Sequence, residues 1–227
     1  MGILSVIRSG DVQTIIMTLI STTMVLLICL PIHEWAHGFV AYKLGDRTAK
    51  NLGRLDINPF AHLDIAGTIA IFLFGFGWAK PVPVNMRNFK NPNRDMAIVA
   101  LAGPASNFLL GTVILMIAKI IILFSPTSQF VIMLFQVLKR MIFLNISLSI
   151  FNLIPIPPLD GSKILGAILP ERIYYKILEY ERYGIFVVYA VMFTGILDKP
   201  LYMAQTAMFN CMDFLTGFVD FIGKAIA

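Results

Sequence analysis

His33-Glu34-Trp35-Ala36-His37 closes a long apolar run from Ile15 to Ile32. On a helix, residues four apart share a face, so His33 and His37 can offer two imidazoles to one metal ion. Glu34 lies beside them, placed to take a proton from an activated water rather than to ligate. Imidazole ligands, an open coordination position and a carboxylate base together make the chemistry of a zinc hydrolase. The bland alternative is a chance match, with histidines at a helix end pairing with headgroups or backbone. The location argues against it, because ionisable groups inside a membrane segment are costly and mark function.

The elements that must position this pair belong to a very greasy chain. Of 227 residues, 58% are hydrophobic and 14% charged, and the mean hydropathy is +0.80. That is too apolar for a soluble domain, and several stretches exceed the roughly 18 residues a spanning helix needs. The expected fold is an all-α polytopic membrane protein, residues 1–227 forming one membrane-embedded domain. Its core is three helices, with a re-entrant or short β segment between the first and second spans and further helices at the C-terminus. The net charge of +5 suits loops lying on an anionic leaflet, and no lysine or arginine block points to nucleic acid. Cys29 and Cys211 both fall in apolar segments, which argues against a disulfide framework. Cys29, one turn before His33, is read as a packing residue rather than a ligand.

The first span runs from about Val12 to Leu44 and the second from about Met96 to Phe124. A turn at Ser125–Gln129 leads to the third, whose buried part starts near Met141 after Lys139-Arg140 at the far surface. That helix breaks at Pro155-Ile156-Pro157-Pro158, freeing Asp160 to turn inward. Two apolar segments, about Gly184 to Leu197 and Leu201 to Ile222, close the chain around Asp198-Lys199-Pro200, giving four to five segments in all. Between the first two spans, the run Ile65–Trp78 is short for a crossing and contains Gly67, Gly75 and Gly77. It dips into the bilayer and returns, or pairs as strands at its surface. His62 and Asp64 in this connection are read as a hydrogen-bonded turn rather than a second metal site.

Lysine and arginine placement orients the bundle. Lys43, Arg47, Lys50, Arg54, Lys80, Arg87, Lys90 and Arg94 lie between spans one and two, and Lys163, Arg172, Lys176 and Arg182 follow span three. The positive-inside rule makes both regions cytoplasmic, so the histidine pair and Asp160 approach the same surface at similar depth. A catalytic zinc takes three protein ligands and a water, and Asp160 is the best candidate for the third. Asp64 stays in the loop, and Asp198 falls on the opposite side. Asn152, two turns before Asp160, suits an oxyanion donor or an interhelical hydrogen bond equally well. Asn107, among the small residues of Ala102-Gly103-Pro104-Ala105-Ser106-Asn107, is open to the same two uses.

These pieces in this order resemble the site-2 protease family of intramembrane zinc metalloproteases: His33–His37, Gly103 through Asn107, and Asn152 through Pro157-Pro158-Leu159-Asp160-Gly161. Asn58-Pro59-Phe60-Ala61-His62 and Gly77-Trp78-Ala79-Lys80-Pro81-Val82-Pro83 are similar to its small prokaryotic branch. The resemblance covers roughly residues 15 to 195. It implies zinc at His33, His37 and Asp160, Glu34 as base, and Asn152 near the substrate. It also implies transmembrane-helix proteins as substrates, cut inside a prokaryotic cell membrane, with the segment before Pro81 pairing with an unwound substrate. Many members have Asn before the proline of the aspartate motif, whereas Ile156 stands here. The rival from another class is a non-proteolytic membrane protein: a metal transporter predicts ligand residues strung through the bilayer and internal repeats, whereas this chain clusters its set near one side, and an inactive scaffold predicts loss of Glu34, which is intact. Oligomeric state has no signature in the sequence.

Overall fold

Asp11 starts the first long helix by capping it, its carboxylate accepting from Gln13 N–H (3.1 Å) and from the Thr14 hydroxyl. In this computed structural model, which describes residues 2–7, 10–75, 77–124, 128–179 and 181–226, that helix follows a short α1 (Ile3–Ile7). It consists of α2 (Val12–Met24), a π-helical turn (Val25–Cys29) and α3 (Leu30–Lys43). Pro31 explains the π turn: it has no N–H for the Leu27 carbonyl, and its ring crowds that turn. Leu30 N–H bonds back five residues to Val25 instead, a local widening that recurs beside functional sites.

Two more long helices complete the core, α7 (Pro92–Phe124) and α8 (Gln129–Asn152); between α3 and α7 come α4 (Thr48–Asn51), α5 (Pro59–His62), α6 (Ile65–Phe74) and a 3-10 turn (Met86–Asn88). By length and apolar composition, three helical stretches among the described residues can cross a membrane: Val12–Lys43, Pro92–Leu123 and Gln129–Asn152. Side chains of Met17, Cys29, Ile114, Val137, Met141, Ile146 and Met212 interlock at their centre. Lipid gives helices no hydrophobic reason to associate, so close packing and polar ties hold them. Ser149 Oγ donates to the Pro104 carbonyl (2.9 Å) and Asn107 Nδ2 to Asn145 Oδ1 (3.1 Å), fixing α7 and α8 antiparallel.

The connection between the first two spans is ordered by side chains rather than by regular structure. Asp46 is fully buried and accepts from Thr48 N–H (3.0 Å), the Thr48 hydroxyl, Asn85 N–H (2.7 Å) and Asn88 Nδ2 (2.7 Å). Burial pushes its carboxyl up, but these donors outweigh burial and hold it below the ordinary carboxylate range. Asp64 caps α6 through Gly67 N–H (2.8 Å). Gly75, at φ +84°, ends that helix, and the chain returns in extended form. The return lies against α6 so tightly that a Cβ on Gly67 would sit 2.0 Å from the Trp78 carbonyl oxygen. Strand content among the described residues is one antiparallel bridge, Leu63 to Ala79. The apolar run is therefore a helix with an extended return, not a strand pair.

Beyond α8 come α9 (Asp160–Leu165), α10 (Glu171–Glu179), α11 (Glu181–Phe193) and α12 (Asp198–Ile226). Two expectations change here. Lys139 and Arg140 lie inside an unbroken α8, not at its end; the Arg140 guanidinium reaches the Thr18 hydroxyl on α2, which accommodates the charge within the helix. The expected turn at Ser125–Gln129 falls partly on residues 125–127, outside the described residues. Asp198, Lys199 and Pro200 form the first turn of α12, where proline is tolerated. Met212 lies against Gly111, Asp213 and Asp220 both grip Lys119 (2.7 and 2.5 Å), and Gly223 meets Leu123. That register runs α12 parallel to α7, so Asp198 lies toward the α7 N-terminus and not on the opposite side.

Candidate metal centre

Because α3 is regular through His33 and His37, their Nε2 atoms come within 3.1 Å of one another. Asp160, the first residue of α9, brings Oδ2 to 3.2 Å from His33 Nε2 and 3.0 Å from His37 Nε2. All three residues are buried, at 4%, 7% and 6% exposure. Reaching this place demands a sharp reversal after α8, and Gly161 permits it: a Cβ there would lie 2.3 Å from the Leu153 carbonyl oxygen.

The far side of each ring fixes its orientation. His37 Nδ1–H donates to the Val99 carbonyl (2.7 Å), and His33 Nδ1–H to Asn107 Oδ1 (2.8 Å). Asn107 must present its oxygen to His33 because its Nδ2 donates to Asn145. Both imidazoles therefore turn lone pairs toward the Asp160 carboxylate. With both rings neutral, three acceptor atoms lie within 3.2 Å of one another and repel unless a cation lies between, a metal ion or a proton on one ring. A tetrahedral ion with bonds of about 2.0–2.1 Å separates its ligand atoms by roughly 3.3 Å. The spacing and the donor set of two imidazoles and one carboxylate both fit zinc.

Several supporting residues hold places around the site that the sequence did not assign to them. Gly103 on α7 presses its backbone against the rings; a Cβ there would lie 2.3 Å from His37 Nε2 and 2.6 Å from His33 Nε2. In the sequence it stood among the small residues preceding Asn107, with no contact assigned to it. Lys163 donates to Asp160 Oδ1 (3.2 Å), which leaves Oδ2 as the oxygen aimed at the histidines. Asn145 continues the support outward, donating to Cys29 Sγ (2.9 Å) and the Met141 carbonyl (2.9 Å). Such outer partners orient metal ligands and tune their basicity.

The other candidates fall as follows. Glu34 Oε2 accepts from Val82 N–H at 3.0 Å. Asn107 is fully buried behind His33, its amide occupied at both ends. Asn152 ends α8, and its Nδ2 donates to the Leu148 carbonyl (2.9 Å). Cys29 is buried beside Asn145, not in the ligand cluster of His33, His37 and Asp160. His62 donates to the Asp56 carbonyl (2.6 Å) and Asp64 caps α6, the hydrogen-bonded turn expected of them.

A helical bundle of membrane-crossing length, holding two histidines and an aspartate below its surface with a glutamate alongside, defines a membrane-embedded metal-dependent hydrolase. Comparison with known proteins narrows the class. The profile of peptidase family M50 matches residues 21–142 and 116–196, and the chain belongs to that family: it is a metalloprotease. It is 43% identical over 170 residues to "Putative zinc metalloprotease YwhC" of Bacillus subtilis (strain 168), covering 74% of this chain and 77% of that one. It is 25% identical over 177 residues to Rip2 of Mycolicibacterium smegmatis, with 76% of this chain and 66% of that one covered. A third relative, zinc metalloprotease MJ0392 of Methanocaldococcus jannaschii, is 28% identical over 150 residues, but only 34% of its own length is covered. No solved structure matches the chain.

Proposed function

We propose that this chain is a multi-pass intramembrane zinc protease that hydrolyses peptide bonds within or beside the transmembrane helices of membrane-protein substrates. The observation that carries this is the convergence of two imidazole nitrogens and a carboxylate oxygen, buried between helices of membrane-crossing length. Basic residues concentrate on the connections flanking this end of the bundle, which supports an active site facing the cytoplasm of a prokaryotic cell.

In this reading His33, His37 and Asp160 hold the zinc. When bound, zinc lowers the pKa of a water toward about 7 and polarises the scissile carbonyl. Glu34 manages the proton. Val82 N–H engages Oε2, so Oε1 receives the proton from water and passes it to the leaving amine. Asn107 keeps His33 in the tautomer that offers Nε2, acting from behind the ligand rather than on the substrate. Asn152, at the end of α8, is the candidate donor to the developing oxyanion. A transmembrane helix satisfies its own backbone and hides its peptide bonds, so the substrate must unwind locally before cleavage.

The test compares the parent with Glu34→Gln, both purified with zinc and offered single-span reporter proteins. Zinc stays bound while cleavage falls by about 10²- to 10⁴-fold. Equal cleavage by the two proteins removes Glu34 from the mechanism, and a zinc-loaded parent that cuts no single-span reporter removes the intramembrane reading.

A further inference from the structure

The extended segment Lys80-Pro81-Val82 delivers the one hydrogen bond described for the Glu34 side chain, and its own backbone is engaged almost completely from within the protein. Lys80 N–H donates to the His62 carbonyl (2.8 Å). Arg54 Nη2 donates to the Lys80 carbonyl (3.0 Å) and the Pro81 carbonyl (3.3 Å), Pro81 has no N–H, and Val82 N–H goes to Glu34 (3.0 Å). Along Lys80–Val82 the backbone edge is therefore taken up from within the protein. It is a strap whose inner end holds a carboxylate and whose outer side is gripped by a guanidinium.

We propose that Arg54 is a positioning residue for Glu34, acting through this strap. Among the described residues, both hydrogen bonds of the Arg54 side chain go to the strap and its buried Nε has no partner, so the group is wedged there rather than free in solvent. Val82 lies on the α3 face one turn past Glu34; a Cβ on Gly38 would meet Val82 Cγ1 at 2.9 Å. With α3 fixed, the position of the Val82 amide depends on where Arg54 and His62 hold residues 80 and 81. His62 is fully buried, and its ring N–H is committed to Asp56, so its carbonyl is a rigid anchor. Arg54 is the adjustable half: two carbonyls converge on a single fork nitrogen, which a lysine ammonium, with shorter reach and a freer stem, does not reproduce.

This rests on Glu34 as the proton carrier, and the experiment separates the two claims. Parent, Arg54→Gln and Arg54→Lys are purified in lipid nanodiscs and compared in three ways: zinc content, hydrogen exchange of the peptide carrying the Val82 amide, and kcat and KM on a single-span reporter. In Arg54→Gln, exchange at Val82 rises about tenfold or more while α3 and α7 stay protected. Zinc content matches the parent. The displaced carboxylate lowers kcat by about 10- to 100-fold at constant KM, Arg54→Lys recovers only part of it, and added guanidinium recovers more in Arg54→Gln. Unchanged exchange at Val82 in both variants overturns the strap assignment whether or not any reporter is cut. Raised exchange with parental kcat overturns the link to Glu34, and lost zinc with general deprotection assigns Arg54 a merely structural part. A parent that cuts no reporter counts against the proposed protease substrate, and the exchange arm still decides the strap.

Discussion

Replacing Gly103 with alanine adds one methyl group where two ligand nitrogens converge. The new Cβ would lie 2.3 Å from His37 Nε2, 2.6 Å from His33 Nε2 and 2.6 Å from His33 Cε1. Ordinary carbon–nitrogen contact needs roughly 3.4 Å, so about 1 Å must be found by moving α7 away or by turning the rings. Moving α7 lengthens the Val99 and Asn107 bonds to the histidines, which stand at 2.7 and 2.8 Å. Turning the rings carries Nε2 off the ligand position, where tolerance is about 0.2 Å. Either response weakens zinc by at least about 100-fold, or roughly 2.7 kcal/mol. Chelator competition on the purified protein, with zinc counted by mass spectrometry, reads the change. Gly111→Ala is the control on the same helix: its Cβ would meet the Met212 Cε at 2.9 Å, the free end of a flexible thioether, and it keeps zinc at parental affinity. If Gly103→Ala binds zinc as the parent does, the imidazoles do not lie against α7 and the site geometry is wrong.

Two further outcomes follow from the same structure. Asn107→Leu removes the acceptor for His33 Nδ1–H and strands Asn145 Oδ1, so zinc affinity falls about 10- to 100-fold; parental affinity in chelator competition would refute its orienting part. Asp46 has a lowered carboxyl pKa in the folded chain, so its contribution is complete above the unfolded value of 3.8 and is lost as pH falls through the lower folded value. Limited proteolysis of residues 46–91 therefore accelerates on acidification below about pH 4. In Asp46→Asn the connection is open already at neutral pH; a parental cleavage rate there would sink the staple.

The histidine pair and Asp160 were legible because their signals are periodic and global. Positions 33 and 37 share a helix face by spacing alone, and counting lysines and arginines put Asp160 at the same depth without any knowledge of contacts. The connection from Asp46 to Asn91 resisted reading for the opposite reason. Its order comes from Asp46 reaching Asn85, Arg54 reaching Lys80, and His62 reaching Asp56 and Lys80, and such bonds leave no period behind. Charges inside helices misled in the same way. Arg140 marks a surface until Thr18, 122 residues away, is known to receive it. Gly103 was noticed, but a glycine records only that something comes close, not what.

Both imidazoles take their bearings from a few turns of α7, whose Val99, Gly103 and Asn107 grip them independently of any ion, whereas Asp160 arrives on a separate reversal anchored by Gly161 and Lys163. The centre is thus built like a hasp: one leaf is bolted to the frame, and the other swings. With both rings neutral, stripping the cation leaves three mutually repelling acceptors with only one leaf free to yield, so the strain falls on Asp160 while the histidines stay where α7 keeps them.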